Sequence, residues 1–121
     1  VLAHALERGV LVITLTTDVD ISERSGVCAG IARLVGAYAP LPVVVDLAMP
    51  VVGPAAVSAV VRAHRECARR GVPMCAATSG AAGRRLLRAN VDTSDVPLGV
   101  YARAGDAVTA MAAAAIRSGS P

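Results

Sequence analysis

Val43, Val44 and Val45 close an uninterrupted apolar run over residues 41–45, which ends on Asp46 and Leu47. A run this short and β-branched leaves no face for water, so it reads as a strand covered on both sides. Gly53 and Pro54 follow, and then a helical pattern to Gly71. Proline suits the first turn of a helix, where its missing N–H costs nothing. Glycine suits the left-handed stop. A buried strand, a tight loop and a proline-led helix form a unit that needs a layered α/β architecture.

The rest of the chain extends that pattern. Residues 10–16 alternate, with Leu11, Ile13 and Leu15 on one face and Val12, Thr14 and Thr16 on the other. Asp20 and Glu23 have capping-box spacing, and Val27, Ile31, Leu34, Val35 and Tyr38 follow at helical intervals until Pro40 and Pro42. In the proline-led helix, expected over residues 54–70, Val57, Val60, Val61, His64, Cys67 and Ala68 face the core. Arg62, Arg65, Glu66, Arg69 and Arg70 face out. Further strands are expected at 72–77 and 98–101, and a helix at 81–89. A last helix starts near Gly105, with Val108, Met111, Ala112 and Ala115 on one stripe. Residues 1–6 add an antiparallel edge strand through an Arg8-Gly9 turn. Strand–helix alternation of this kind predicts a mainly parallel sheet. One domain is expected over residues 1–117, with a flexible tail at 118–121.

Composition narrows the function classes. The chain has 121 residues, no Phe, no Trp and two Tyr, so its core is built from Ala, Val, Leu and Ile. All twelve cations are Arg and the net charge is only +3. Without stacking aromatics or a dense basic stripe, nucleic acid is not an expected partner. No apolar run reaches the ~18 residues of a membrane span, and no signal peptide is visible. Cys28, Cys67 and Cys75 show no paired spacing, so buried, reduced thiols in a cytoplasmic protein are expected.

Three stretches together resemble the STAS family, the anti-sigma-factor antagonist domains. Residues 10–20 look like that family's opening strand and turn, with Thr17-Asp18-Val19-Asp20 in place of Gly-Glu-Leu-Asp. Residues 42–71 look like its central strand, switch loop and second helix, including Arg62-Ala63-His64-Arg65 and the ending Arg69-Arg70-Gly71-Val72-Pro73. Residues 76–90 resemble the next strand and helix, with Arg84, Arg85, Leu86 and Leu87. The resemblance implies a STAS fold: a mainly parallel sheet of four or five strands with about four helices. It also implies a bacterial, non-catalytic signalling role in transcription regulation. The partner would be a kinase-like anti-sigma factor, and a homodimer fits the same class.

The family's switch usually reads Asp-Ser-Ser-Gly, and a partner kinase phosphorylates its first serine. Here Gly53, Pro54, Ala55 and Ala56 stand in its place. Phosphorylation there would add roughly two negative charges at a helix start, and Pro54 has no hydroxyl to accept them. Docking without that switch is therefore expected, through Asp18, Asp20, Asp46, Met49, Gly53, Pro54, Ala55 and Ser58. Ser58, one turn after Pro54, is a candidate displaced phosphoacceptor, although a small residue bonded back to a carbonyl is its plainer reading.

Other constellations have plainer readings too. Asp20 and Asp46 are expected at neighbouring strand ends beside the proline-led helix, but a hard-cation site needs more oxygens than this pair supplies. His64 and Cys67 have a spacing that metals use, yet a core histidine and a buried thiol explain them without further ligands. Residues 79–84 offer a small phosphate nest or simply a helix start. Ser22 and Ser25 suit helix-start chemistry. No nucleophile–base–orienter set, metal or cofactor is expected. The competing readings are a module for nucleotide or lipid, or the accessory subunit of a lipid transport ATPase.

Overall fold

The computed structural model describes residues 2–17, 19–91 and 98–119. Its strands are β1 (Leu2–Glu7), β2 (Val10–Leu15), β3 (Val43–Leu47), β4 (Met74–Ala77) and β5 (Gly99–Tyr101). Its helices are α1 (Arg24–Tyr38), preceded by a 3₁₀ turn (Ile21–Glu23), then α2 (Pro54–Arg69), α3 (Ala81–Val91) and α4 (Ala104–Gly119). The five strands lie side by side in chain order. β1 runs antiparallel to β2, and the remaining pairs are parallel. The expected sheet class and helix number are both found.

Period-two alternation sorts the strand side chains onto two faces. Leu11, Ile13, Leu15, Val43, Val45 and Leu47 join Ile31 and Val35 of α1 and Val57, Val60 and Cys67 of α2 in one interior. Val10, Val12, Val44, Cys75 and Ala77 meet Ala107, Val108 and Ala112 of α4 in a second, thinner one. Of the predicted helix stripes, Ile31, Val35, Val57, Val60, His64, Cys67, Val108 and Ala112 are buried and Val27, Leu34, Tyr38 and Met111 half-buried. Ala55, Ala56, Ala59 and Ala63 of α2 are buried as well. Val61 and Ala68 are only half-buried. The expected inward position of Ala115 lies outside the residues whose side chains are described.

Local sequence sets the punctuation. Arg8 (φ 54°) and Gly9 (φ 78°) both have positive φ in the two-residue loop joining β1 to β2. That primed geometry matches the twist of a hairpin. Gly71 (φ 69°) closes α2. Its N–H donates to Ala68 O at 3.2 Å, and Val72 N donates to Cys67 O at 2.8 Å. This is a Schellman motif, and a Cβ at Gly71 would be strained there. Of the capping box only the glutamate half forms, with Asp20 N donating to Glu23 Oε1 at 3.4 Å. The reason is the 3₁₀ turn, which places Glu23 rather than Asp20 at the cap of α1, with no side-chain cap bond. α4 continues to Gly119, and the last two residues of the expected tail lie outside the described residues.

Candidate functional site

The loop 48–53 continues from β3 with its backbone still tied to the sheet: Ala48 N donates to Leu15 O at 2.8 Å. Two of its side chains point inward and the others outward. Met49 (5 % exposed) and Val52 (9 %) anchor the loop in the larger core, while Val51 is 72 % exposed. Gly53 caps α2 in an extended conformation (φ −88°, ψ 173°) and offers no capping side chain. Pro54 occupies the first helical position and is exposed. Ala55, Ala56 and Val57 are buried, so the first turn is fixed to the core from beneath. A helix start carries backbone N–H groups without intrahelical partners. Here residues 53–57 place neither a hydroxyl nor a carboxylate beside them.

The expected docking residues are only partly brought together. Gly53, Pro54 and Ser58 share the start of α2, with Ser58 half-buried. Met49 and Ala55 belong to the core and present no side chain to a partner, because the loop needs them as anchors. Asp20 is exposed at the 3₁₀ turn, and Asp18 lies outside the described residues. Asp46 departs from expectation. It pairs with Thr14 and Ala77 inside the sheet, and alternation puts it with Val44 on the α4 face, away from α2. Its half-burial raises its carboxyl pKa above the ordinary value by desolvation. Asp46 does stand near the C-terminal end of β3, beside Thr14 of the neighbouring β2, but on the face opposite the one that α2 covers.

The other candidates settle into structure. His64 (2 % exposed) and Cys67 (0 %) are both buried. Among the described residues no group of three His, Cys, Asp or Glu is placed to hold a metal ion. Burial pushes the Cys67 thiol up to about 11, against a smaller opposing effect of Arg70, and the Cys75 thiol up to about 12. Neither is a thiolate at neutral pH. Cys28 is only half-buried, against expectation, because its stretch of α1 borders solvent. The turn before α3 is a helix start: Arg84 Nη1 folds back on Thr78 O (3.0 Å) and Ser79 O (2.7 Å). Thr17, which stands where the resembled family usually has glycine, needs no left-handed backbone. Arg8 is the non-glycine with positive φ among the described residues. No helix among them is long and apolar enough to cross a membrane.

Sequence reasoning missed the groove that runs from this loop between α2 and α3. One cavity of ≈ 300 Å³ is bordered by Pro54, Val57, Ser58, Val61, Arg65 and Leu86, among others. A second, of ≈ 250 Å³, lies between Pro50, Val51, Val52, Gly83 and Leu86. A Cβ on Gly83 would come within 3.2 Å of Val52 Cγ2, so glycine lets α3 approach the loop. The signal was present in the sequence. Val51-Val52 and Leu86-Leu87 are adjacent apolar pairs, and only one member of each can face the core. Val52 and Leu87 (0 %) do so, leaving Val51 and Leu86 (42 %) outside.

Comparison with protein-family models and with curated proteins finds no match. Solved structures do match over nearly the whole chain. An anti-sigma factor antagonist from Mycobacterium paratuberculosis is similar with a TM-score of 0.75 at 19% identity, covering 92% of each chain. A putative anti-sigma factor antagonist from Thermotoga maritima gives 0.72 at 11% identity, covering 91% of this chain and 93% of that one. The anti-sigma factor antagonist SpoIIAA in its unphosphorylated form gives 0.64 at 13% identity, covering 91% and 96%. At such identities the likeness is one of fold, and this chain has the STAS fold of the anti-sigma factor antagonists.

Proposed function

We propose that this chain is a non-catalytic regulatory domain that docks an anti-sigma-factor-like partner through the loop 48–53 and the start of α2, without a phosphoserine switch. The observation that carries the reading is Pro54, an exposed imino ring at the first position of α2, with Gly53 before it and buried Ala55 after it. A hydroxyl in that place would let a kinase add roughly two negative charges beside the free N–H groups of the helix start. This helix start supports docking by shape, with Val51 as its exposed apolar contact. The fold shared with three anti-sigma factor antagonists supports the partner class.

Incubation with candidate anti-sigma factor kinases and ATP, read by intact mass and co-elution, tests the proposal. The expected result is a stable complex with no phosphate gained, weakened by Val51→Asp. A stoichiometric phosphate on any of residues 52–58 would overturn the switch-free reading, including one on Ser58. A complex indifferent to Val51→Asp would move the docking surface elsewhere.

A further inference from the structure

α2, its cap residue Arg70 and α3 together carry seven arginines and one carboxylate, Glu66. The cations divide by what they do. Arg69 pairs with Glu66, and Arg70 Nε reaches Glu66 Oε1 at 3.1 Å, so that carboxylate is committed twice. Arg84 is strapped to backbone carbonyls (3.0 and 2.7 Å), and Arg88 Nη2 lies 3.5 Å from Val100 O. Arg85 is exposed, forms no ion pair among the described residues and lines neither cavity; Arg62 and Arg65 are likewise exposed and without an ion pair there. Both border the same cavity between α2 and α3.

That cavity has a polarity along α2. Pro54, Val57, Ser58, Val61, Arg62 and Arg65 recur at helical spacing, apolar first and basic last. Leu86 of α3 stands opposite the apolar end and also borders the cavity beside Val51. The rise from Val57 to Arg65 is about 12 Å.

We infer that the groove between α2 and α3 takes an acidic, amphipathic segment of a partner protein, with an apolar side chain seated by Val51 and Leu86 and carboxylates against Arg62 and Arg65. This deepens the docking reading above and rests on it for the partner class. Charge complementarity selects the occupant. Two guanidinium groups without an ion pair, in a trough lined also by Ser58, Asn90 and the apolar Val61 and Leu86, favour carboxylates carried on a helix, because Arg matches carboxylate geometry bidentately. Nucleic acid fits less well, since the chain has no Phe or Trp, and Tyr38 lies against His4 of β1 (ring centroids 5.8 Å apart), away from α3. A flat anionic bilayer does not reach the floor of a groove.

The test is selection of random displayed peptides of about sixteen residues, long enough for roughly four helical turns, against the immobilised wild-type chain. The expected binders carry Asp or Glu together with a bulky apolar side chain on one helical face. Arg62→Glu with Arg65→Glu should weaken them by roughly ten-fold or more, with an unchanged circular dichroism melt. A peptide whose acids are replaced by Lys should regain binding to that double variant, a rescue that a merely structural role for the arginines does not give. Selected peptides that are basic or uncharged, an absence of binders, or affinity unmoved by the double substitution would overturn the inference. Tighter binding of a single-stranded oligonucleotide than of the selected peptides would do so as well. Failure of the anti-sigma-factor reading looks different, because acidic peptides would still bind the groove while the kinase-like partners form no complex.

Discussion

The two sides of the sheet are built from the same strands and differ in nearly everything placed on them. On one side α1, α2 and α3 cover an interior of Leu, Ile and Val. On the other, α4 alone lies over a layer of Val and Ala with Cys75. The charges follow the same division. α1, α2 and α3 carry eight arginines, whereas α4 has one Arg and one Asp in its sequence. The modest net charge of +3 therefore conceals a strongly basic side. The three-helix side leaves the cavities between α2, α3 and the loop 48–53.

Substitutions that fit one side and not the other test this division. The largest effect is expected from Ile13→Ala, at a fully buried position in the larger interior. A cavity there should cost about 2–5 kcal/mol in urea unfolding. Ala107→Leu probes the thin side, where the fully buried alanine sets the spacing of α4 from the sheet. Overpacking should cost about 1–3 kcal/mol. If Ala107→Leu proves neutral, α4 is loosely seated and the contrast between the sides fails.

Asp46→Asn should have a smaller effect, of opposite sign. The folded-state pKa of Asp46 is raised by desolvation, so the folded chain holds its proton more tightly than the unfolded chain. Stability is thus lost as pH rises through the window between the two values, and the charged form is a cost at neutral pH. The amide should raise the melting temperature at pH 7, and the difference should vanish below the ordinary carboxylate range. A wild-type melt indifferent to pH across that window would show that Asp46 is solvated. The smallest change is expected from Arg62→Glu with Arg65→Glu, within about 0.5 kcal/mol of wild type, as for exposed positions free of structural partners.

Much of this architecture was legible in one-dimensional pattern. β2 and β3, the proline start of α2 and the glycine stop at Gly71 follow from periodicity and backbone chemistry within a few residues of each other. The site was less legible. Met49 looked like a contact and is an anchor, because a loop crossing the end of a sheet must pin some of its side chains beneath it. Asp46 looked like a neighbour of Pro54 and lies on the other face, because one step along a strand reverses a side chain's direction. The groove went unread although Val51-Val52 and Leu86-Leu87 announced a surplus of apolar surface at two places.

By itself, the sequence determined that residues 53–57 place no acceptor oxygen at the start of α2, since no packing arrangement gives Gly, Pro or Ala a hydroxyl. It also determined an α/β order, since the 2 and 3.6 periods alternate along the chain. Only the tertiary structure decided which arginines are committed and which are free. That choice depends on which partners the folded side chains reach. Glu66 lies three and four residues from Arg69 and Arg70, the carbonyls of Thr78 and Ser79 six and five residues from Arg84, and that of Val100 twelve residues from Arg88, across on β5.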